Sequence, residues 1–526
     1  MTGVASGLKE DRKKVLINAF LMASGTMTSR ILGLLRDMAL AAFFDRTLTD
    51  AWTAAFRLPN LFRRLFGEGS LSVSFIPVFI ETQLGDSSGT RSRNLLNAFY
   101  TLLLVFLSVL TLVGILCAEP ILEALLDNAY REIPGKFELT VRMAQIMFGF
   151  VFFICTYAYF MGILNALGVF GLPALAPTLF NISMLAFTFM PPAWFPQPGD
   201  GLAWGVLVGG ALQMLVLWPA LKAKGYLPSL TMQWWSADVR LILKNMVPGL
   251  VGMGLLQFTT LVNLRFASGL DEGAISYIYW ADRLLELPLS LVSVSLGAAL
   301  LPRLSELWSR GEKQRLAETL QENLLVNFYL AWPAALGLFF LAEPLVQVLF
   351  MRGQFSVVDA AATAQVLKIY AGMLIFVASS RVLVAAFYAV KNTTYPAVVV
   401  VVSLAVHILL APELMKHLGL NGLVLSSLVT SALSLALLMA RLPSQVVSLQ
   451  WRVCVRSLLK MILAGAVLIL AVKITSPSMQ MNAGDLALSI LFGGAAYLAI
   501  SYLLKLQEFQ STFAVLWNKL KTKIRP

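Results

Sequence analysis

Charge is what this chain has least of. Only 13% of its 526 residues are Asp, Glu, Lys or Arg, against about 25% in a soluble protein. Cysteine and histidine are also scarce. Cys117, Cys155 and Cys454 are odd in number, scattered and form no CxxC pair, which argues against both a disulfide framework and a Cys-based metal site. His407 and His417 are the two histidines. No GxxxxGK[ST] loop is present, so nucleotide hydrolysis by a P-loop is excluded. No Ser/His/Asp or paired-carboxylate arrangement sits in a catalytic context, and the chain does not read as an enzyme. Alternating polar and apolar residues are lacking over the apolar runs, which excludes a transmembrane β-barrel. The first apolar run is too long, too charged and without a small-residue cleavage site, so no cleaved signal peptide is expected.

What is there is apolar sequence. Hydrophobic residues make up 58% of the chain and the mean hydropathy is +0.77. Apolar runs of roughly 20 residues, the length that crosses a bilayer, recur throughout. The expected spans are 17–44, 50–83, 94–117, 138–166, 170–192, 201–221, 240–268, 273–301, 322–342, 359–389, 393–411, 419–440, 453–473 and 485–504. The fold class is therefore an all-α polytopic membrane protein with about 14 transmembrane helices. The net charge of +12 is laid out as topology rather than as a nucleic-acid surface. Roughly 24 Lys and Arg fall on one set of alternate loops and about 6 on the other. That bias predicts both termini, and the 222–240 and 441–452 turns, in the cytoplasm.

A repeat runs through the chain. "GSLSVSFIPVFIE" resembles "VSVSLGAALLPRLSE", setting Ser70, Pro77 and Glu81 opposite Ser295, Pro302 and Glu306 at an offset of 225. "NALGVFGLP" and "YAVKNTTYP" align Ala166 and Pro173 with Ala389 and Pro396 at an offset of 223. "GLAWG" near 201 resembles "GLNG" near 419. The expected organisation is a six-helix bundle in 1–225, a second in 226–445, and two further helices with a basic cytoplasmic tail in 446–526. Repeats of six spans keep their orientation, so two parallel repeats around a central cavity are expected, an architecture of transporters.

Charges inside apolar spans are expensive, about 2.5–3.5 kcal/mol each at a helix centre, and mark functional positions. About ten basic residues fall within the spans, half of them in the first two: Arg30, Arg36, Arg57, Arg63, Arg64, Arg142, Arg265, Arg283, Lys368 and Arg381. Two helical turns place Ser29 over Arg36 and Arg30 over Asp37. Arg57 and Arg64 share a stripe, and Arg64 reaches Glu68 at i,i+4. Asp282, Arg283 and Glu286 share a face before Pro288. Arg142 and Arg265, near span ends, read as structural ion pairs, and Arg63 and Arg64 can play that part with Glu68. For Arg30, Arg36 and Arg283 the basic groups outnumber nearby acids. An excess of guanidinium in apolar surroundings points to an anionic ligand carrying phosphate or several carboxylates, which Arg grips with a planar fork.

"SRILGLLRD", "DAWTAAFRLPNLFRRLFGEGSLSVSFIPVF" and "YWADRLLELPLSLVSVSLGAALLP" closely resemble the signature segments of the MurJ (MviN) lipid II flippases, within the multidrug/oligosaccharidyl-lipid/polysaccharide exporter superfamily. The resemblance spans essentially the whole chain, and "LPNLFRRLFGEG" is its most specific part. It implies translocation of lipid II, the undecaprenyl-pyrophosphate-linked disaccharide-pentapeptide, from the inner to the outer leaflet of a bacterial inner membrane. It implies pyrophosphate binding by Arg30, Arg36 and Arg283. Ser29, Asp37, Asp50, Arg63, Arg64, Glu68, Asn165, Asp282 and Glu286 are then cavity or gate residues, Asn165 at the inner gate. Spans 13 and 14, with "LAGAVLIL" and "LFGGAAYL", would form an apolar groove for the polyprenyl tail.

The expected mechanism is rocking of two bundles about a central site, the tail staying in lipid. No cofactor is expected, and the drive would be a coupling cation or the membrane potential, worth about 2.3 kcal/mol per charge per 100 mV. Expected partners are lipid II, membrane lipids and cell-wall synthesis proteins, with no nucleic acid. The alternatives are a flippase for another polyprenyl-pyrophosphate sugar, a cation-coupled drug antiporter of the same fold, and a non-transport scaffold, against which the buried charge speaks.

Overall fold

A computed structural model describes residues 2–66, 71–85, 89–475 and 481–511. Among them are nineteen α-helices and no strand. This is what a bilayer demands, because only helices and closed barrels satisfy every backbone group internally. The helices are α1 (Thr2–Phe43), α2 (Arg46–Leu65), α3 (Leu71–Leu84), α4 (Thr90–Leu116), α5 (Ala118–Leu125), α6 (Asn128–Arg131), α7 (Lys136–Ala166), α8 (Gly171–Thr188), α9 (Asp200–Leu215), α10 (Trp218–Ala223) and α11 (Ala237–Ser268). They continue with α12 (Ala274–Ser309), α13 (Lys313–Phe340), α14 (Ala342–Phe350), α15 (Val357–Ala389), α16 (Thr394–Leu418), α17 (Leu420–Gln445), α18 (Trp451–Thr475) and α19 (Ala483–Leu503).

Ten helical segments among the described residues are long and apolar enough to cross a membrane: α4, α7, α8, α9 with α10, α13, and α15 to α19. The other four expected spans coincide with α1, with α2 and α3, with α11 and with α12, the helices that carry most of the intramembrane charge. The expected single span 50–83 is two helices. Asp45 caps the first by accepting the Leu48 N–H at 2.9 Å, and the second starts at Leu71.

The chain forms two compact units, Met1–Ile275 and Ser276–Pro526. They do not follow the repeat boundary expected near 225, because α11 packs on α2, α3, α4 and α5 and so sits with the first unit. In that unit Gly25 of α1 meets Ala174 of α8, Gly33 meets Asn181, and Phe43 meets Phe189 edge-on at 5.1 Å. Positions rise together, so α1 and α8 run in the same direction. A Cβ on Gly25 would lie 2.9 Å from the Ala174 carbonyl, so glycine is what lets the two backbones close. Behind them Trp52, Phe56, Phe150 and Phe180 stack between α2, α7 and α8.

In the second unit α13, α15 and α17 pack in succession around Leu316, Leu320, Leu383, Phe387 and Leu442. Helices α16 and α17 are joined by polar pairs, Ser403 to Ser434 at 2.6 Å and His407 Nδ1 to Ser426 at 3.0 Å. Helix α18 packs on α13, where Gly465 leaves room for the Trp332 indole, and α19 returns antiparallel along α18. The repeat reappears as packing. Helix α7 contacts α4 and α9, and α9 contacts α8; correspondingly α15 contacts α13 and α17, and α17 contacts α16. The tripeptide Ala118-Glu119-Pro120 opens α5, and Ala342-Glu343-Pro344 opens α14.

Candidate functional site

The expected site residues lie in both units. In the first, Arg36 is only 5% exposed and Asp37 2%. Asp37 Oδ1 accepts from Arg36 Nε at 2.9 Å and Nη2 at 2.6 Å. Arg36 Nη1 donates to Asn181 Oδ1 on α8 at 3.0 Å, and the guanidinium carbon lies 5.7 Å from the Phe180 ring centroid. The Asn181 amide donates in turn to the Ser29 carbonyl at 2.8 Å and the Ser29 hydroxyl at 3.3 Å. Ser29 and Arg36 therefore share one face of α1, as their spacing implies, and one asparagine bridges them. Arg30 is exposed on the same helix.

Arg36 is a paired arginine, because Asp37 accepts two of its N–H groups. It is a neutralised, oriented guanidinium whose planar fork is already set. Ala at Arg36 would consequently remove a partner of a buried carboxylate, rather than leave packing untouched as a freely cavity-facing side chain would.

In the second unit Arg283 is about one-third exposed. Its Nη1 donates to Glu286 Oε2 at 3.2 Å, its Nη2 to the Tyr279 hydroxyl at 3.2 Å, and its guanidinium carbon lies 4.9 Å from the Tyr279 ring centroid. These partners are all on α12 itself, one turn before and one turn after. Asp282 is half-buried on α12 and Glu286 is exposed.

Asp50, expected at a gate, sits in a closed network in the first unit. Asp50 and Lys136 are both buried and pair at 2.9 Å. Asp50 Oδ2 also accepts the Gly273 N–H at 2.8 Å, and Thr47 donates to Glu272. The Lys136 ammonium stands 4.7 Å from the Tyr130 ring centroid. Thr140 donates its hydroxyl proton to the Lys136 carbonyl, so Tyr130 donates to Thr140 at 2.7 Å. Burial, then the Asp50 and Glu272 charges, push the Tyr130 hydroxyl above its usual range and keep it a donor. The loop before α12 is thus tied to the start of α2 and of α7.

The remaining expected residues are dispersed. Arg63 Nε donates to Asn60 at 2.8 Å, and Arg64 is half-buried on α2. Glu68 lies outside the described residues. Asn165 is half-buried near the end of α7, and its carbonyl accepts the Gly168 N–H at 3.1 Å. Arg142 is a structural ion pair, as its position suggested, held by Asp200 through Nε and Nη2, both at 2.8 Å. Arg265 is likewise structural, bonded to Asp127 at 3.3 Å and to the Leu126 carbonyl. Sequence reasoning missed Asn181, Lys136 and Tyr279. Asn181, a lone amide in the apolar run "LFNISM", carried the intramembrane-polar signal that singles out functional positions. No group of three His, Cys, Asp or Glu among the described residues is placed to hold a metal ion.

A multi-pass helical fold built of repeated helix sets, with ionised groups kept inside the helices, defines a membrane transporter. The fold is shared with solved structures: an inward-facing multidrug resistance transporter of the MATE family superposes with a TM-score of 0.66 at 15% identity, covering 81% of this chain and 98% of its own. A lipid II flippase MurJ in an inward closed conformation superposes better, with a TM-score of 0.77 at 24% identity over 92% and 98% of the two chains.

Sequence comparison narrows this to a family. The family profile described as lipid II flippase MurJ matches residues 14–502. A probable lipid II flippase MurJ of Bdellovibrio bacteriovorus is 59% identical over 97% of this chain and 98% of its own length. The lipid II flippase MurJ of Burkholderia cenocepacia is 35% identical over 80% and 83%. The chain belongs to the MurJ lipid II flippase family.

Proposed function

We infer that the protein is a lipid II flippase, carrying the lipid-linked peptidoglycan precursor from the inner to the outer leaflet of the bacterial inner membrane by alternating access. Membership of the MurJ family along nearly the whole chain carries this reading. The chemistry of Arg36 supports it. A pyrophosphate arriving at Arg36 would take over the N–H groups now given to Asp37. Asn181 would keep Nη1 aimed while that exchange occurs. Arg283, part-exposed and bonded to Glu286 and Tyr279, would supply a second cation for the head group. Arg30, exposed on α1, would add charge beside Ser29.

The drive would be the membrane potential or a coupling cation. Net negative charge moving outward from a negative interior gains about 2.3 kcal/mol per charge per 100 mV. Both termini would be cytoplasmic. Gln197 and Asp271 are exposed, on loops that this orientation would put on the opposite side. Of the natural cysteines only Cys117 is even half-buried rather than buried. With Cys117 replaced, cysteines at Gln197 and Asp271 should react with an impermeant thiol reagent from outside. Reaction only after permeabilisation would reverse the orientation.

The function itself is tested in a strain depleted of its own flippase. Expression of this chain should restore growth and make lipid II accessible at the outer surface. Failure at normal membrane levels, with a different polyprenyl-pyrophosphate sugar accumulating inside its source organism on depletion, would replace lipid II as the substrate.

A further inference from the structure

Between α10 and α11 the chain runs extended over the face of the first unit, and it is fastened at every step. Gly225, at φ +72°, closes α10. Tyr226 packs edge-on against Phe79 at 5.8 Å, and its hydroxyl accepts from Gln83 of α3 at 3.2 Å. The Ser229 N–H then donates to Asn97 at 2.8 Å and the Thr231 N–H to the Thr101 hydroxyl at 3.0 Å. Asn97 and Thr101 are one turn apart on α4. Ser236 ends the strap by capping α11.

Alternation in an extended chain sends the intervening residues the other way. Leu230 is 70% exposed and Met232 95%. They are followed by Trp234 and Trp235, exposed and edge-on to each other at 5.9 Å. Downstream on α4, Val105, Phe106, Val109 and Leu112 are exposed on a helix apolar enough to cross the bilayer. The strap therefore lies against α4 just before its lipid-facing stretch, the level at which tryptophan concentrates in membrane proteins. Its backbone donors are met by α4 side chains, as is needed close to hydrocarbon. Around it Lys222, Lys224, Arg93 and Arg240 are exposed, while Arg91 is held by Asp238 through two bonds. A Cβ on Gly225 would lie 3.6 Å from the Arg93 guanidinium, so that cation stands at the start of the strap.

We propose that residues 226–236 form a membrane-interface anchor that inserts Leu230, Met232, Trp234 and Trp235 into the leaflet and takes anionic phospholipid head groups on the flanking lysines and arginines. Apolar side chains seat it, and basic groups near an anionic surface select the lipid. Clamped to α3 and α4 on one side and to the leaflet on the other, the strap holds the entry to α11 at a fixed depth.

The test uses the full chain in phosphatidylcholine nanodiscs containing dibrominated phosphatidylglycerol or dibrominated phosphatidylcholine at equal mole fraction. The fluorescence lost in the W234F/W235F variant isolates the pair. That component should be quenched by both brominated lipids, and at least about twofold more by the anionic one, as charge attraction requires. K222Q/K224Q/R240Q should equalise the two lipids while leaving quenching itself in place. Asn97→Leu, which unfastens the strap, should lower quenching by both. Quenching by aqueous iodide but by neither brominated lipid would overturn the anchor. Equal quenching by the two lipids in the unaltered chain would overturn its preference for anionic head groups.

Discussion

Arg36 and Arg283 are the same residue type in two differently built surroundings. Arg36 is buried, faces an aspartate next to it in sequence, and is aimed by an asparagine on another helix. Arg283 is part-exposed, and its acid and its aromatic partner lie on its own helix. The first is an oriented group whose place depends on tertiary packing. The second is a part-exposed group bonded to side chains one turn before and one turn after it on α12. If both hold one anionic head group, as proposed, the division pairs a buried, oriented guanidinium with a part-exposed one.

The comparison can be broken most severely at Asp37. Asp37→Ala removes the carboxylate that neutralises a buried guanidinium, and such losses are worth about 3–5 kcal/mol. A marked fall in membrane abundance, and in the thermal midpoint of the purified protein, is expected. Asn181→Leu comes next. It deprives Arg36 and Ser29 of a shared partner, a loss of about 1–3 kcal/mol for buried polar groups, and should lower transport more than abundance. Glu286→Gln should be smallest. An exposed pair contributes about 0–1 kcal/mol, so the midpoint should hardly move. A large loss of stability at Glu286, or none at Asp37, would erase the contrast.

Much of the fold was legible because bilayer thickness imposes a run length that composition alone reveals. The repeat was legible through prolines, and Pro77 and Pro302 both lie inside helices. The matching Ala-Glu-Pro at 118 and 342 was equally readable and marks the short helices after α4 and α13. The division of 50–83 into α2 and α3 was not read, although Gly67, Glu68, Gly69 and Ser70 interrupt the apolar pattern there. At the site, Arg36 and Asp37 were legible as charges in an apolar run, and Ser29 followed from helical spacing. Their partners were not. Asn181 lies 145 residues away from Arg36 and Lys136 lies 86 from Asp50, and local spacing says nothing about such contacts.

Binding of lipid II to the protein in nanodiscs, titrated for Arg36→Lys and Arg283→Ala with thermal midpoints measured alongside, tests most directly whether both arginines hold the anionic head group. Lysine at 36 keeps the charge opposite Asp37 and loses the fork. Alanine at 283 removes a part-exposed guanidinium, bonded to Glu286 and Tyr279. Hydrogen bonds to charged groups contribute about 1.5–3 kcal/mol. Affinity should therefore fall about tenfold or more for Arg283→Ala and severalfold for Arg36→Lys, with midpoints near that of the unaltered chain. Unchanged affinity in either variant, or losses that merely follow a lowered midpoint, would contradict a substrate-binding role for that arginine.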